Sequence, residues 1–425
     1  MSRWFLLCLL LAGPAMAQSV SALHPMAVDQ RDRSRETRAV TICLIPDTQN
    51  MFRQNDFDAV GGATECTVTS TFCTGASCLQ SPYCYQNWPE TGRILALNQA
   101  YSLTGQWAKI DYTKIDGTDN VVSLQDRPLD HARCDLILSL GDMLEIGDVN
   151  SDDFDELLAE PDYARQWALL LDYWGIIKAS GIPYLPLQGN HDPASMVTPL
   201  FTHLNFSNES FHHASEATGR SHAILVPNAT GVPLCVIGLG YNDTNLSSSR
   251  CSTVATWAAS QVGCGGNYPT IITSHAGVTE TALDESCGPG SVLPTLIGND
   301  SFAGVAGASE IFLVAAGHRV VTTSYKFSLT GLFSTDANQT VYAILVNYQE
   351  ANRHNVNDGG NGITTSDGNA GQYTVITLDA GADRMCSHEW NPYWQVRDGI
   401  SNGQVTPTST GVEVCWDFDF DARAP

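Results

Sequence analysis

The sequence predicts an α/β fold whose internal sheets are covered by helices. Eight short runs rich in Val, Ile and Leu are each bounded by Gly, Pro, Asn or Asp, as buried strands are. Helical stretches lie between several of them, the alternation expected of strands paired in layered sheets. At 43% hydrophobic residues in a chain of 425, there is enough apolar material for a substantial core, which excludes a wholly disordered chain.

In chain order, the strand runs are residues 39–46 (AVTICLIP), 134–140 (CDLILSL), 183–187 (PYLPL), 234–239 (LCVIGL), 269–273 (PTIIT), 311–316 (IFLVAA), 341–346 (VYAILV) and 373–378 (YTVITL). Helix is expected over 153–179, broken into two pieces by Pro161, which removes a hydrogen bond and clashes with the preceding turn. A second helix is expected over 254–261. Residues 355–371 (NVNDGGNGITTSDGNAG) read as a surface loop, since their spacing fits no EF-hand.

The first residues read as a secretory signal over 1–17. Arg3 supplies the charge, residues 4–12 the apolar stretch and Ala15-Met16-Ala17 the small-x-small cleavage site. Spanning a membrane needs about 20 apolar residues, and neither this stretch nor any later one reaches that length. The expected location is secreted or periplasmic, with residues 18–38 a linker. The formal net charge is −24, and lysine occurs only at Lys109, Lys114, Lys178 and Lys326. Binding to nucleic acid backbones needs basic patches, so that class of partner is excluded.

Cysteine usage agrees with export: without Cys8, the 13 cysteines become 12, an even number. Cys66, Cys73, Cys78 and Cys84 crowd a Gly/Thr/Ser-rich insertion over 63–85. C-x2-C pairs are absent there, which favours two local disulfides, with tetrahedral zinc as the alternative. Cys251 with Cys264, and Cys386 with Cys415, are candidate local bridges. Cys43, Cys134 and Cys235 sit in apolar runs and read as buried thiols, a Cys43–Cys134 bridge being the alternative. Sequons begin at Asn205, Asn208, Asn228, Asn242, Asn245, Asn299 and Asn338, candidate glycosylation sites if the source is eukaryotic. The tail over 381–425 reads as a disulfide-pinned extension packing on the core, with Trp390 and Trp394 as an alternative sugar-stacking platform. His203 and the pair His212-His213 read as solvated.

The polar residues at the strand ends carry the chemistry. Asp47-Thr48-Gln49 follows the first run, Gly141-Asp142 the second and Gly189-Asn190-His191-Asp192 the third. Ser274-His275 follows the fifth, and Gly317-His318-Arg319 the sixth. Ligands of open α/β sheets bind beyond the carboxyl ends of strands, so five loops bring carboxylates, an amide and imidazoles to one edge. Each signal alone is weak; the ordered set is not. That mixture suits borderline divalent metals such as Zn, Mn or Fe rather than all-oxygen calcium sites. One carboxylate shared by two ions gives a clamp for in-line displacement at phosphorus.

In that order the motifs resemble those of the calcineurin-like metallophosphoesterases, whose pattern is D-x-H, GD, GNH[DE], H and GHxH. The match spans residues 40–379. Here the His of D-x-H is Gln49, and the second His of GHxH is Val320. A branch with a PDTQ opening, a GH lacking the second His and a later NYQ is similar to this chain, which has Pro46-Asp47-Thr48-Gln49 and Asn347-Tyr348-Gln349.

The resemblance implies a four-layer α/β/β/α sandwich over 39–380. It implies one ion held by Asp142, Asn190, His275 and His318, and a weaker second site at Asp47, Gln49 and Asp142. His191 would face the phosphoryl group and protonate the leaving oxygen, with Asp192 orienting it. Arg53 and Arg319 are candidate phosphate contacts. The implied activity is hydrolysis of small phosphate monoesters or diesters; the alternative is a non-catalytic binding or structural protein on a degenerate scaffold of the same kind.

Overall fold

The computed structural model describes residues 39–48, 88–106, 109, 133–144, 154–159, 161–228, 231–241, 248–278, 311–318, 325–330, 340–346, 373–391, 396–397 and 414–417. Several expectations fall outside these residues. They are the signal and linker over 1–38, the cysteine-rich insertion over 63–85, Gln49, Arg53, Arg319, Val320, Asn347-Tyr348-Gln349, the loop over 355–371 and Trp394.

All eight expected runs form strands, and they divide between two mixed sheets. In the first sheet, β1 (Ala39–Ile45), β2 (Leu136–Ser139) and β3 (Tyr184–Leu185) are parallel neighbours in that order. On the other side of β1, β11 (Tyr373–Asp379) runs antiparallel, followed by β12 (Arg384–Asn391), which also pairs β13 (Val396–Arg397) and β14 (Val414–Asp417).

The second sheet begins with an antiparallel meander of β4 (His212–Ser215), β5 (His222–Val226) and β6 (Leu234–Leu239). It continues in parallel through β7 (Thr270–Ser274), β8 (Ile311–Ala316) and β10 (Thr340–Leu345), and ends on antiparallel β9 (Tyr325–Thr330). Both sheets have seven strands among the described residues.

Helices cover these sheets because the central strands are apolar on both faces. β2, β6, β7 and β8 are buried at every position, so each face needs a partner. One core joins Ile42, Leu44 and Leu138 of the first sheet to Val236, Ile271 and Leu313 of the second. That core also takes in Ala96, Ala100 and Leu103 of α1 (Trp88–Leu103) and Leu170, Tyr173, Trp174 and Ile177 of α3 (Pro161–Ala179). A second cluster packs Cys235, Ile237, Ile272 and Val314 against Val254, Ala255 and Ala258 of α5 (Ser248–Gln261). Each large side chain so buried is worth about 1.5–3 kcal/mol.

The interruption expected at Pro161 is present. α2 (Phe154–Ala159) stops before it, and Pro161 opens α3, a position where its missing N–H costs nothing. Two further helices, α1 and α4 (Ala194–His203), were not among the expected elements, although Met196, Val197 and Leu200 of α4 fall on one buried face. α1 buries Asn98, Gln99 and Ser102, and α4 carries Pro199 in its interior. Among the described residues, no helix is long and apolar enough to cross a membrane.

Three disulfides join the described residues, and they correct part of the cysteine reading. Cys43 pairs with Cys134, and Cys235 with Cys264, so none of Cys43, Cys134 and Cys235 is a free thiol. The Cys251–Cys264 expectation is overturned: Cys264, held in a left-handed turn after α5, meets the start of β6 instead. Cys386 pairs with Cys415 as expected, the two facing each other across β12 and β14. The described part of the tail therefore adds strands to the first sheet. Trp390 lies fully buried in the core, which removes it from any exposed sugar platform, while Trp416 packs against the same core.

Of the sequons, Asn205 and Asn208 are exposed and Asn228 is half-buried; those at 242, 245, 299 and 338 lie outside the described residues.

Candidate metal centre

Parallel strands of the two sheets end side by side, and the chemistry of their ends differs. The first sheet delivers Asp47, Asp142 and Asn190 after β1, β2 and β3; the second delivers His275 and His318 after β7 and β8. One wall is carboxylate and amide, the other imidazole.

Asp142 is the hinge between them. Its backbone is left-handed (φ +46°), and it is buried. Oδ1 accepts the backbone N–H of His191 at 2.9 Å, while Oδ2 lies 3.2 Å from Nε2 of His275. Its own carbonyl accepts the N–H of Thr48 at 3.0 Å, tying the first motif to the second. Gly189 makes this approach feasible: a Cβ there would stand 2.0 Å from Oδ1 of Asp142.

His275 is buried and fixed from behind. Its Nδ1 donates to the carbonyl of Leu140 at 2.8 Å, which turns Nε2 towards the other donors. Nε2 lies 2.7 Å from Oδ1 of Asn190 and 3.2 Å from Nδ1 of His318. His318 has left-handed backbone (φ +65°), and its Nδ1 is 2.8 Å from the same Asn190 oxygen.

These four atoms, Asp142 Oδ2, Asn190 Oδ1, His275 Nε2 and His318 Nδ1, suit a cation. Bonds of about 2.0–2.1 Å place neighbouring donors roughly 3.0 Å apart in an octahedron and 3.4 Å apart in a tetrahedron. The separations of 2.7–3.2 Å straddle the octahedral value and fall slightly short of the tetrahedral one. Among the described residues, Asp142, His275 and His318 form the group of ionisable side chains close enough to hold a metal ion together. Asn190, the neutral member, is exposed and leaves the cluster accessible.

The electrostatics point the same way. Burial lowers the proton affinity of His275, but the carboxylates of Asp142 and Asp47 outweigh it and hold its pKa up at about 9. Burial would raise Asp142, yet His275, through its charge and its hydrogen bond, and His191 bring it below the ordinary carboxylate value. Asp47 stays well above that value because of its burial, with Asp142 adding to the rise and His275 opposing it. A buried acidic cluster with a positive charge held inside it is the environment a cation can replace.

The other expected residues divide. Asp47 is buried and 3.7 Å from Nδ1 of His275, with the backbone N–H of His318 donating to it, but it stands outside the metal-holding group. His191 is half-buried beside Asp142 and also outside the group. Asp192 is buried next to His191 in the chain and ties the loops of the centre together. Its oxygens accept the backbone N–H groups of Gly189 (2.8 Å), Met143 (3.0 Å) and Leu144 (2.7 Å), clamping the two loops together. Burial, then the charge of Asp142, holds Asp192 up at about 7 against those three donors.

Sequence reasoning missed Tyr241. It follows β6, and its ring centroid lies 5.5 Å from that of His275 and 5.8 Å from that of His318. Its only sequence signal was its place after the Gly-Leu-Gly that ends the β6 run. The pair His212-His213 opens edge strand β4, far in sequence from these donors, where Nε2 of His212 contacts Oγ of Ser215 at 2.9 Å.

No model of a known protein family matches the chain, and no curated protein matches it.

Proposed function

We propose that this chain is a secreted, metal-dependent phosphoesterase that hydrolyses small phosphate monoesters or diesters. The observation that carries the reading is the convergence of Asp142, Asn190, His275 and His318, from four strand ends, on one accessible point. Supporting it are the motif order and a layering of helices, sheet, sheet and helix that fits a four-layer α/β/β/α sandwich. The disulfides fit an oxidising compartment.

When bound, a Zn, Mn or Fe ion supplies Lewis acidity to a phosphoryl oxygen and acidifies water beside it. Asp142, Asn190, His275 and His318 would hold that ion, and the Leu140 carbonyl fixes the tautomer of His275. Asp142 would be the carboxylate available to a second, weaker ion, with Asp47 beside it and Gln49 the further donor that the motif order suggests. His191, carried by the loop that Asp142 and Asp192 lock in place, donates a proton to the leaving oxygen.

A second reading is favoured by one observation: Asp47 stands outside the metal-holding group. A non-catalytic binding protein on the same scaffold would need only the four-donor site, or none.

Metal analysis of the mature protein, coupled to assays on an aryl phosphate and a bis-aryl phosphate with added Zn, Mn or Fe, separates the two. Bound transition metal together with turnover supports the enzyme. Inertness towards both esters with every metal supports the binding protein.

A further inference from the structure

We infer that Tyr241 is a positioning residue for the metal centre, its ring holding the imidazoles of His275 and His318 in ligating orientation. This rests on the metal-centre reading above.

Three consecutive parallel strands of the second sheet, β6, β7 and β8, each end in an aromatic or imidazole ring: Tyr241, His275 and His318. The three rings touch in a closed set. Tyr241 meets His275 edge to face, with centroids 5.5 Å apart and planes at 78°, and leans over His318 at 5.8 Å and 37°. The two imidazoles are 4.9 Å apart at 67°. The two edge-to-face contacts have the geometry aromatic pairs favour, and all three restrict how each ring can turn.

The backbone around Tyr241 is itself pinned. Its N–H donates to the carbonyl of Gln188 at 3.1 Å, the residue just before Gly189-Asn190, so the second sheet is tied to the loop that carries Asn190. The N–H of Gly240 donates to Oγ of Ser221 at 3.1 Å, and a Cβ at position 240 would stand 2.8 Å from the carbonyl oxygen of Arg220. A ring on so fixed a stem can brace its neighbours.

The brace bears unequally on the two imidazoles. His275 is buried and already fixed by Leu140 through Nδ1. His318 is half-buried on a left-handed backbone, and its Nδ1 must meet Asn190 and His275 together. Loss of the Tyr241 ring therefore falls chiefly on the orientation of His318. Groups that orient metal ligands typically change affinity about 10–100-fold when removed.

The test uses the mature protein with Tyr241→Leu, which keeps bulk without a ring, and Tyr241→Phe, which keeps the ring without the hydroxyl. Zn²⁺ affinity is measured by competition with a chelator, and the geometry of the centre by the visible d–d bands of bound Co²⁺. Urea midpoints of the metal-free proteins check that each variant folds. Tyr241→Leu should bind Zn²⁺ about 10–100-fold more weakly and shift the Co²⁺ bands, while Tyr241→Phe restores both. A Tyr241→Leu protein with parental affinity and spectrum overturns the inference and leaves the metal centre standing. A Tyr241→Phe protein as impaired as Tyr241→Leu overturns the assignment to the ring. Parent protein that takes up neither ion overturns the metal-centre reading, and this inference with it.

Discussion

Nε2 of His275 and Oδ1 of Asn190 lie 2.7 Å apart, each brought there by a different sheet. The contact joins β7 of the second sheet to the loop after β3 of the first, across 85 residues of chain. Around it the remaining donors assemble, and the consequences for substitution depend on which side of the contact is altered.

His275→Ala removes the imidazole that touches every other donor of the cluster. Zn²⁺ affinity should fall by about 10–100-fold or more, since losses even beyond the ligands themselves reach that range. Isothermal titration of parent and variant measures it, and unchanged affinity would exclude His275 as a ligand.

His191→Ala should behave differently. The ring lies outside the metal-holding group, so metal content should stay at the parental level. A positioned proton donor contributes about 10²–10⁴-fold, and kcat/KM on an aryl phosphate should drop by a factor in that range. Metal loss in this variant, or an undiminished rate, would contradict the role.

Gly189→Ala forces a Cβ to within 2.0 Å of the Asp142 carboxylate. The loop or the carboxylate must shift, and overpacking of this kind costs about 1–3 kcal/mol. Chemical denaturation should register that loss, and Zn²⁺ titration should register a weakened site. Parental values in both would mean that the loop yields freely.

His222 should make the fold acid-sensitive. Burial brings its pKa down from 6.5 to about 4, with His212 acting in the same direction and Glu216 and the Gly219 carbonyl opposing it. Phe201 and Phe206 pack on its ring, and Ser215 meets its Nδ1. Between those pH values the unfolded chain takes up a proton that the folded chain refuses. The stabilising contribution is therefore complete above about pH 6.5 and is lost as the pH falls to about 4, on the order of 3 kcal/mol in all. Urea unfolding of the parent and His222→Gln at pH 4.5 and 7 reads the difference; equal pH slopes in the two proteins would reject it.

Much of this was legible in the sequence because strand signals are local. Runs such as IFLVAA and LCVIGL announce buried strands by composition, and the polar residues at their ends announce a site. β4 (HHAS), β9 (YKFSLT) and β12 (RMCSHEWN) carry no such run, for edge and outer strands keep polar residues along their length. What sequence could not give was reach across the chain. Asp192 clamps Met143 and Leu144 from 49 and 48 residues away, and Cys264 finds Cys235 rather than the nearer Cys251. Tyr241 acts through two rings supplied by later strands, and nothing next to it in sequence foretells that meeting.

The donors of the centre are divided evenly, two from each sheet, and neither layer alone offers more than half a coordination sphere. An ion held there would therefore favour the docked arrangement of the two layers, adding to the apolar core that already joins them. An ion present at a hundred times its dissociation constant adds about 2.7 kcal/mol to the folded state, and that increment bears on the seam between the sheets rather than on either ladder. Chelation would then loosen the joint while leaving the boards whole.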